Sequence, residues 1–134
     1  NKWGSARYNT AQQFTALVAT KHNAKDYKSW AKGQMDYILG NNPSGYNFVV
    51  GMESNSSKYP HHRAASGYAN YDEMGNNTGY SSNGHTLVGA LVGGPTDQGG
   101  SYVDSVQDYT ANEVTLDYNA TLVAAALLTS LPVP

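Results

Sequence analysis

Apolar residues recur at mixed three- and four-residue spacing through residues 5–21. Tyr8, Ala11, Phe14, Ala16, Leu17 and Val18 form the stripe, and the spacing predicts a helix. His22-Asn23 interrupts the pattern. Asn23 can cap a second helix over residues 24–39, which carries Tyr27, Trp30, Ala31, Gln34, Met35, Ile38 and Leu39 and stops at Gly40. So short a connection predicts an antiparallel hairpin. A third helix is predicted over residues 109–131, with Ala120, Val123, Ala124, Leu127, Leu128 and Leu131 as its apolar face and Pro132 and Pro134 ending it. That face needs more apolar surface than two helices and a loop supply, so the chain reads as incomplete.

Residues 40–107 have a different texture. They hold most of the glycines, together with Pro43, Pro60 and Pro95, and Asn, Ser and Tyr fill much of the rest. Short extended pieces are expected at Phe48-Val49-Val50 and from Leu87 to Val92, and no long helix. An irregular stretch of this length inside a compact domain is either functional or disordered. Its interspersed aromatic and apolar residues argue against disorder. The expected fold class is therefore all-α, about three helices with one long loop.

Composition narrows the function. The 134 residues have room for one domain with a modest core. Only 13% are charged and the net charge is -2, which gives no electrostatic basis for a nucleic-acid or anionic-membrane partner. There is no cysteine, hence no disulfide and no thiolate metal site. No apolar run approaches the length of about 18 residues that a membrane span requires. Tyrosine stands out, with 11 against 2 Phe and 2 Trp. A ring that is apolar and also hydrogen-bonds suits a wet surface that holds sugar rings, and equally a buried site with a hydroxyl partner.

Two segments carry candidate chemistry. Tyr102 to Ala120 places Asp104 and Glu113 around a helix start. Local spacing alone favours a capping box there, with Thr110 three residues before Glu113. In Tyr59-Pro60-His61-His62-Arg63, the histidines and arginine could bind sugar hydroxyls, a carboxylate or a metal. Adjacent side chains point apart in extended chain, and no further His/Asp/Glu spacing supports zinc. Taken alone, a solvated turn explains this segment as well as either.

Together the two segments resemble glycoside hydrolase family 9. The family's closing signature is matched by Tyr102, Asp104, Tyr109, Glu113, Thr115 and Asn119-Ala120, and the end of its earlier Pro-His-x-Arg signature by Pro60-His61-His62-Arg63. Trp3-Gly4 with Arg7-Tyr8, Asp36 to Gly40 with Asn42-Pro43, and Leu87 to Pro95 follow in family order. Asn41 stands where the family often has Asp, and Ser105 where a second acid is frequent.

The resemblance implies the C-terminal segment of an (α/α)6 toroid and cleavage of β-1,4-glucosidic bonds in cellulose or β-glucan with inversion. It implies Glu113 as general acid, Asp104 in support of the acid site, His61 and Arg63 on sugar hydroxyls near the cleaved bond, and Tyr118 as a further sugar contact. The base belongs to a paired-Asp motif near the start of such domains and is not matched here, so this chain alone is expected to be inactive. The resemblance also implies secretion, the upstream part of the same catalytic domain as a partner, and an attached carbohydrate-binding module as a further candidate partner. No cofactor or metal ligands are expected in this segment. Calcium, where the family holds it, would lie upstream. A non-catalytic carbohydrate-binding domain is the competing expectation.

Overall fold

The computed structural model describes residues 2–130, so the predicted stop at Leu131, Pro132 and Pro134 lies outside the described residues. Helix α1 spans Ser5–Lys21. Its covered face is not the aromatic stripe. Ala6, Thr10, Gln13 and Leu17 are buried, at regular helical spacing, whereas Tyr8 and Phe14 remain 43% and 37% exposed. Most polar groups on this inner face are paired, although Gln13 Oε1 is buried without a hydrogen-bond partner among the described residues. The Thr10 and Thr121 hydroxyls meet at 2.8 Å, Gln13 Nε2 donates to Asn9 Oδ1 (2.6 Å), and Asn9 Nδ2 donates to Gln34 Oε1 (2.5 Å).

Asn23 does not cap the second helix. It adopts a left-handed conformation (φ 61°), with its own N–H on Thr20 O and the Ala24 N–H on Ala19 O. Those two bonds close the C-terminus of α1, a role for which asparagine is the usual substitute for glycine. Helix α2 consequently begins later than the pattern predicts and spans Lys28–Ile38. Thr20 Oγ1 accepts from Tyr27 N (2.9 Å), which joins the end of α1 to the start of α2. The Asn9–Gln34 bond joins their opposite ends, so the pair is antiparallel.

Residues between α2 and the C-terminal helix supply the centre of the core. Phe48, Val49, Val50, Leu91 and Val92 are buried, and an antiparallel bridge joins Val49 to Leu91. Among the described residues such bridges are isolated and no strand forms. The segment is seated on α2 by Phe48 N–H donating to Ile38 O (2.9 Å). It packs with Met35, Ile38, Tyr118, Leu122 and Ala125 in one cluster. Two short helices, α3 (Arg63–Ser66) and α4 (Tyr71–Gly75), interrupt the remaining loop.

The predicted third helix is two helices. Asp108, rather than Thr110, caps α5 (Tyr109–Asn112) by accepting from the Thr110 and Ala111 amides. Glu113 then turns extended (φ -58°, ψ 143°), and Thr115 Oγ1 accepts from Tyr118 N (3.3 Å) at the start of α6 (Leu116–Ser130). Arg7 bonds Asp117 and Thr10 meets Thr121, so α6 runs parallel to α1. Tyr118, Leu122 and Ala125 form its covered face, while Val123 and Leu127 of the predicted face remain 63% and 56% exposed. Helix α6 is apolar on both sides, and only one side is covered by described residues.

Candidate active site

The break between α5 and α6 releases Glu113 from a helical ladder and turns its partly exposed carboxyl toward the start of α1. The Trp3 indole Nε1–H donates to Glu113 Oε2 (2.8 Å), and the Tyr118 hydroxyl donates to the same oxygen (3.3 Å). No described residue donates to Oε1. The Thr110–Glu113 capping box is therefore not formed, because the Glu113 side chain is spent on partners from α6 and from ahead of α1. Tyr118 is 1% exposed. Burial, then the charge of Glu113, pushes its phenol up to about 12, so it remains a donor at any working pH. Only Gly4 could precede α1 here: it has φ +65°, and a Cβ on it would lie 2.7 Å from the Tyr118 hydroxyl.

His61 is held beside Glu113 through the backbone. Its N–H donates to Asn112 O (2.7 Å), and a parallel bridge links it to Glu113. Its Nδ1 lies 2.6 Å from Val106 O. A carbonyl only accepts, so the proton sits on Nδ1 and Nε2 is left for a ligand. His62 faces elsewhere and caps α3, its Nδ1 accepting from Ala65 N (3.1 Å). The adjacent histidines are thus not a chelating pair. Among the described residues no cluster of three or more His, Cys, Asp or Glu could hold a metal ion. Arg63 opens α3; its Nη1 donates to Ala69 O (3.4 Å), and no described carboxylate pairs with it.

Asp104 is not placed on Glu113. Its Oδ1 accepts from Ser57 Oγ and Tyr59 N (both 3.0 Å), and Oδ2 accepts from Lys58 N (2.8 Å). It therefore fixes the three residues that lead into Pro60-His61. The Tyr102 hydroxyl donates its one proton to Asn112, whose backbone carbonyl receives His61, and lies 2.6 Å from Ser57 Oγ. Burial pushes the Tyr102 phenol far up, so this link stays protonated. Asp104 and Tyr102 act on the site at one remove, through the loop that carries His61 and the turn that carries Glu113.

Aromatic rings extend from the carboxyl. Trp3 lies 5.2 Å from Tyr109, Tyr109 5.9 Å from His61, and His61 stacks at 6.4 Å on Tyr71. All four are at least partly exposed. His61 and Tyr71 lie nearly parallel at 20°, whereas Trp3 is tilted by 55° against Tyr109 and Tyr109 by 67° against His61. Sequence spacing could not find Tyr71, or Trp3 as a partner of Glu113, because the latter pair is separated by 110 positions. The available signal was Trp3-Gly4, whose match to the family said nothing of what the indole touches.

The model of glycosyl hydrolase family 9 matches residues 1–126. The chain belongs to this family. Family 9 relatives include Endoglucanase A of Bacillus pumilus, 43% identical over 125 residues, which cover 90% of this chain and 18% of the relative. Endoglucanase B of Cellulomonas fimi is 39% identical, with 93% of this chain and 12% of that protein covered. Among solved structures, the catalytic domain of Clostridium thermocellum CelT is 51% identical with a TM-score of 0.84, covering 96% of this chain and 25% of that one. The cellulase Cel9M of C. cellulolyticum in complex with cellobiose is 42% identical with a TM-score of 0.81, covering 96% and 28%. The chain thus spans about a quarter or less of these proteins and corresponds to the C-terminal part of their catalytic domains, an (α/α)6 fold.

Proposed function

We propose that this chain forms the acid side of an inverting endo-β-1,4-glucanase site and that Glu113 is the general acid. The carrying observation is the Glu113 carboxyl, fixed through Oε2 and open at Oε1, at the end of a row of exposed aromatic rings. In this reading Oε1 carries the proton to the departing glycosidic oxygen. His61 Nε2 and the Arg63 guanidinium hold sugar hydroxyls next to the cleaved bond. Tyr118, expected as a sugar contact, is buried, so it is assigned to the orientation of Glu113. Asp104 supports the site by holding residues 57–59.

Inversion needs a second carboxylate about 6.5–9.5 Å from the acid to activate water. Asp117 is bound to Arg7 and Thr115, and Asp97 to Ser101 N, so neither is assigned that role. The base is placed in the upstream part of the same catalytic domain, whose helices would cover Val123 and Leu127. Calcium sites, secretion and a carbohydrate-binding module belong to the same proposal. Among the described residues no helix is long and apolar enough to cross a membrane.

The test is Glu113→Gln in the complete catalytic domain. An amide cannot donate the proton, and general acid catalysis contributes about 10²–10⁴-fold. Turnover of β-glucan should fall by that order while glucan binding persists, and an aryl glycoside with an activated leaving group should be hydrolysed at nearly the original rate. Wild-type turnover of β-glucan would remove Glu113 from the role. Equal, unchanged binding with no hydrolysis by either form would favour the carbohydrate-binding reading.

A further inference from the structure

We infer that Trp3 is a positioning residue for the acid, its indole N–H holding Oε2 so that Oε1 faces the glycosidic oxygen. This rests on Glu113 being the general acid. A carboxyl pivots freely about its last bond unless one oxygen is tied, and a misplacement of about 1 Å can cost about 10²-fold in rate. Here the stronger tie is Trp3, at 2.8 Å against 3.3 Å for Tyr118.

Trp3 is itself restrained. Its ring lies 5.2 Å from that of Tyr109, on the helix that leads into Glu113. The chain just beyond it is pinned by Ser5 Oγ donating to Pro95 O (2.7 Å) and Ala6 N–H donating to Gly93 O (2.9 Å). Arg7 then reaches Asp117 at the start of α6 (2.9 Å). The indole is thus tied by α1 to the same framework that carries the acid.

The N–H also matters to the reaction. As the C1–O bond breaks, its electron pair goes to the glycosidic oxygen, which takes the Oε1 proton. The upstream base takes a proton from water, and the resulting hydroxide closes on C1. Glu113 ends as a carboxylate. A hydrogen bond from Trp3 to Oε2 becomes charge-assisted only as that charge develops, so it stabilises the transition state more than the ground state.

A different role is available to the same side chain, because its half-exposed ring could stack on a sugar. The two are separated by Trp3→Phe in the complete catalytic domain, which keeps a ring and removes the N–H. On β-glucan kcat should fall about 10- to 100-fold, in the range that mispositioning produces, with KM nearly unchanged. On an aryl glycoside with a low-pKa leaving group the loss should be no more than about threefold, since little proton donation is required. Added to Glu113→Gln, Trp3→Phe should cost nothing further. Benzothienylalanine at position 3 exchanges only the N–H for sulfur and should reproduce these results without a change of shape. Raised KM with intact kcat, equal loss on both substrates, or an additive loss on Glu113→Gln would each overturn the inference. Failure of Glu113→Gln itself to discriminate the two substrates would instead overturn the assignment of the acid.

Discussion

Replacing Gly4 by alanine would place a methyl carbon 2.7 Å from the Tyr118 hydroxyl and 3.1 Å from its Cζ. Two costs follow. At φ +65° an L residue is strained by about 1–2 kcal/mol. The methyl also overpacks a buried ring, which costs typically about 1–3 kcal/mol. The expected destabilisation of the complete domain is the sum, about 2–5 kcal/mol, read as a lowered denaturant midpoint. The two parts separate in a Tyr118→Phe background. There the nearest atom is gone, the contact to Cζ relaxes with small ring movements, and the backbone strain of about 1–2 kcal/mol remains. Gly4→Ala should therefore be markedly less costly beside Tyr118→Phe than alone. Activity should follow the displacement of the hydroxyl, so Gly4→Ala should lose β-glucan turnover beyond its loss of folded protein. A neutral Gly4→Ala, or an identical cost in both backgrounds, would refute the close packing of Gly4 on Tyr118 and with it the route by which that tyrosine reaches Glu113.

Asn119→Ala should free the 87–92 segment, because its Oδ1 accepts from Leu91 N (3.0 Å) and its Nδ2 donates to Gly89 O (2.7 Å). Leaving the buried Leu91 amide unpaired costs about 1–3 kcal/mol, and hydrogen exchange at Leu91 should accelerate; unchanged protection there would contradict the anchoring. Acid should loosen the junction of α1 and α6. Asp117 is held below its ordinary 3.8 by the Thr115 hydroxyl and then by Arg7. A depressed carboxyl stabilises above its unfolded value and loses that contribution as pH falls through the folded one, so the melting-temperature gap between wild type and Asp117→Asn should be full above about pH 4 and close below it. A gap independent of pH would assign the effect to packing.

The helical periodicity of α1 and α2, the long irregular middle and the family resemblance were legible along the chain. Helical spacing and the residues Pro60-His61-His62-Arg63 and Glu113 are local properties that survive without knowledge of the fold. The failures have one origin, which is that local spacing cannot say which face is covered or which partner takes a polar group. Tyr8 and Phe14 looked like the inner stripe of α1, yet that face belongs to Thr10 and Gln13, whose hydrogen-bond partners come from α1 and α6. Thr110 and Glu113 have the spacing of a capping box, but Asp108 reaches the free amides first, and the Glu113 carboxyl finds an indole 110 residues away. Asn23 can start a helix or end one, and the carbonyls left open by α1 decided that it ends one. Local pattern was enough to mark which segments could be helical and which family the chain resembles. Tertiary structure alone decided which oxygen of Glu113 is tied and which is free, because that depends on donors brought together from the two ends of the chain.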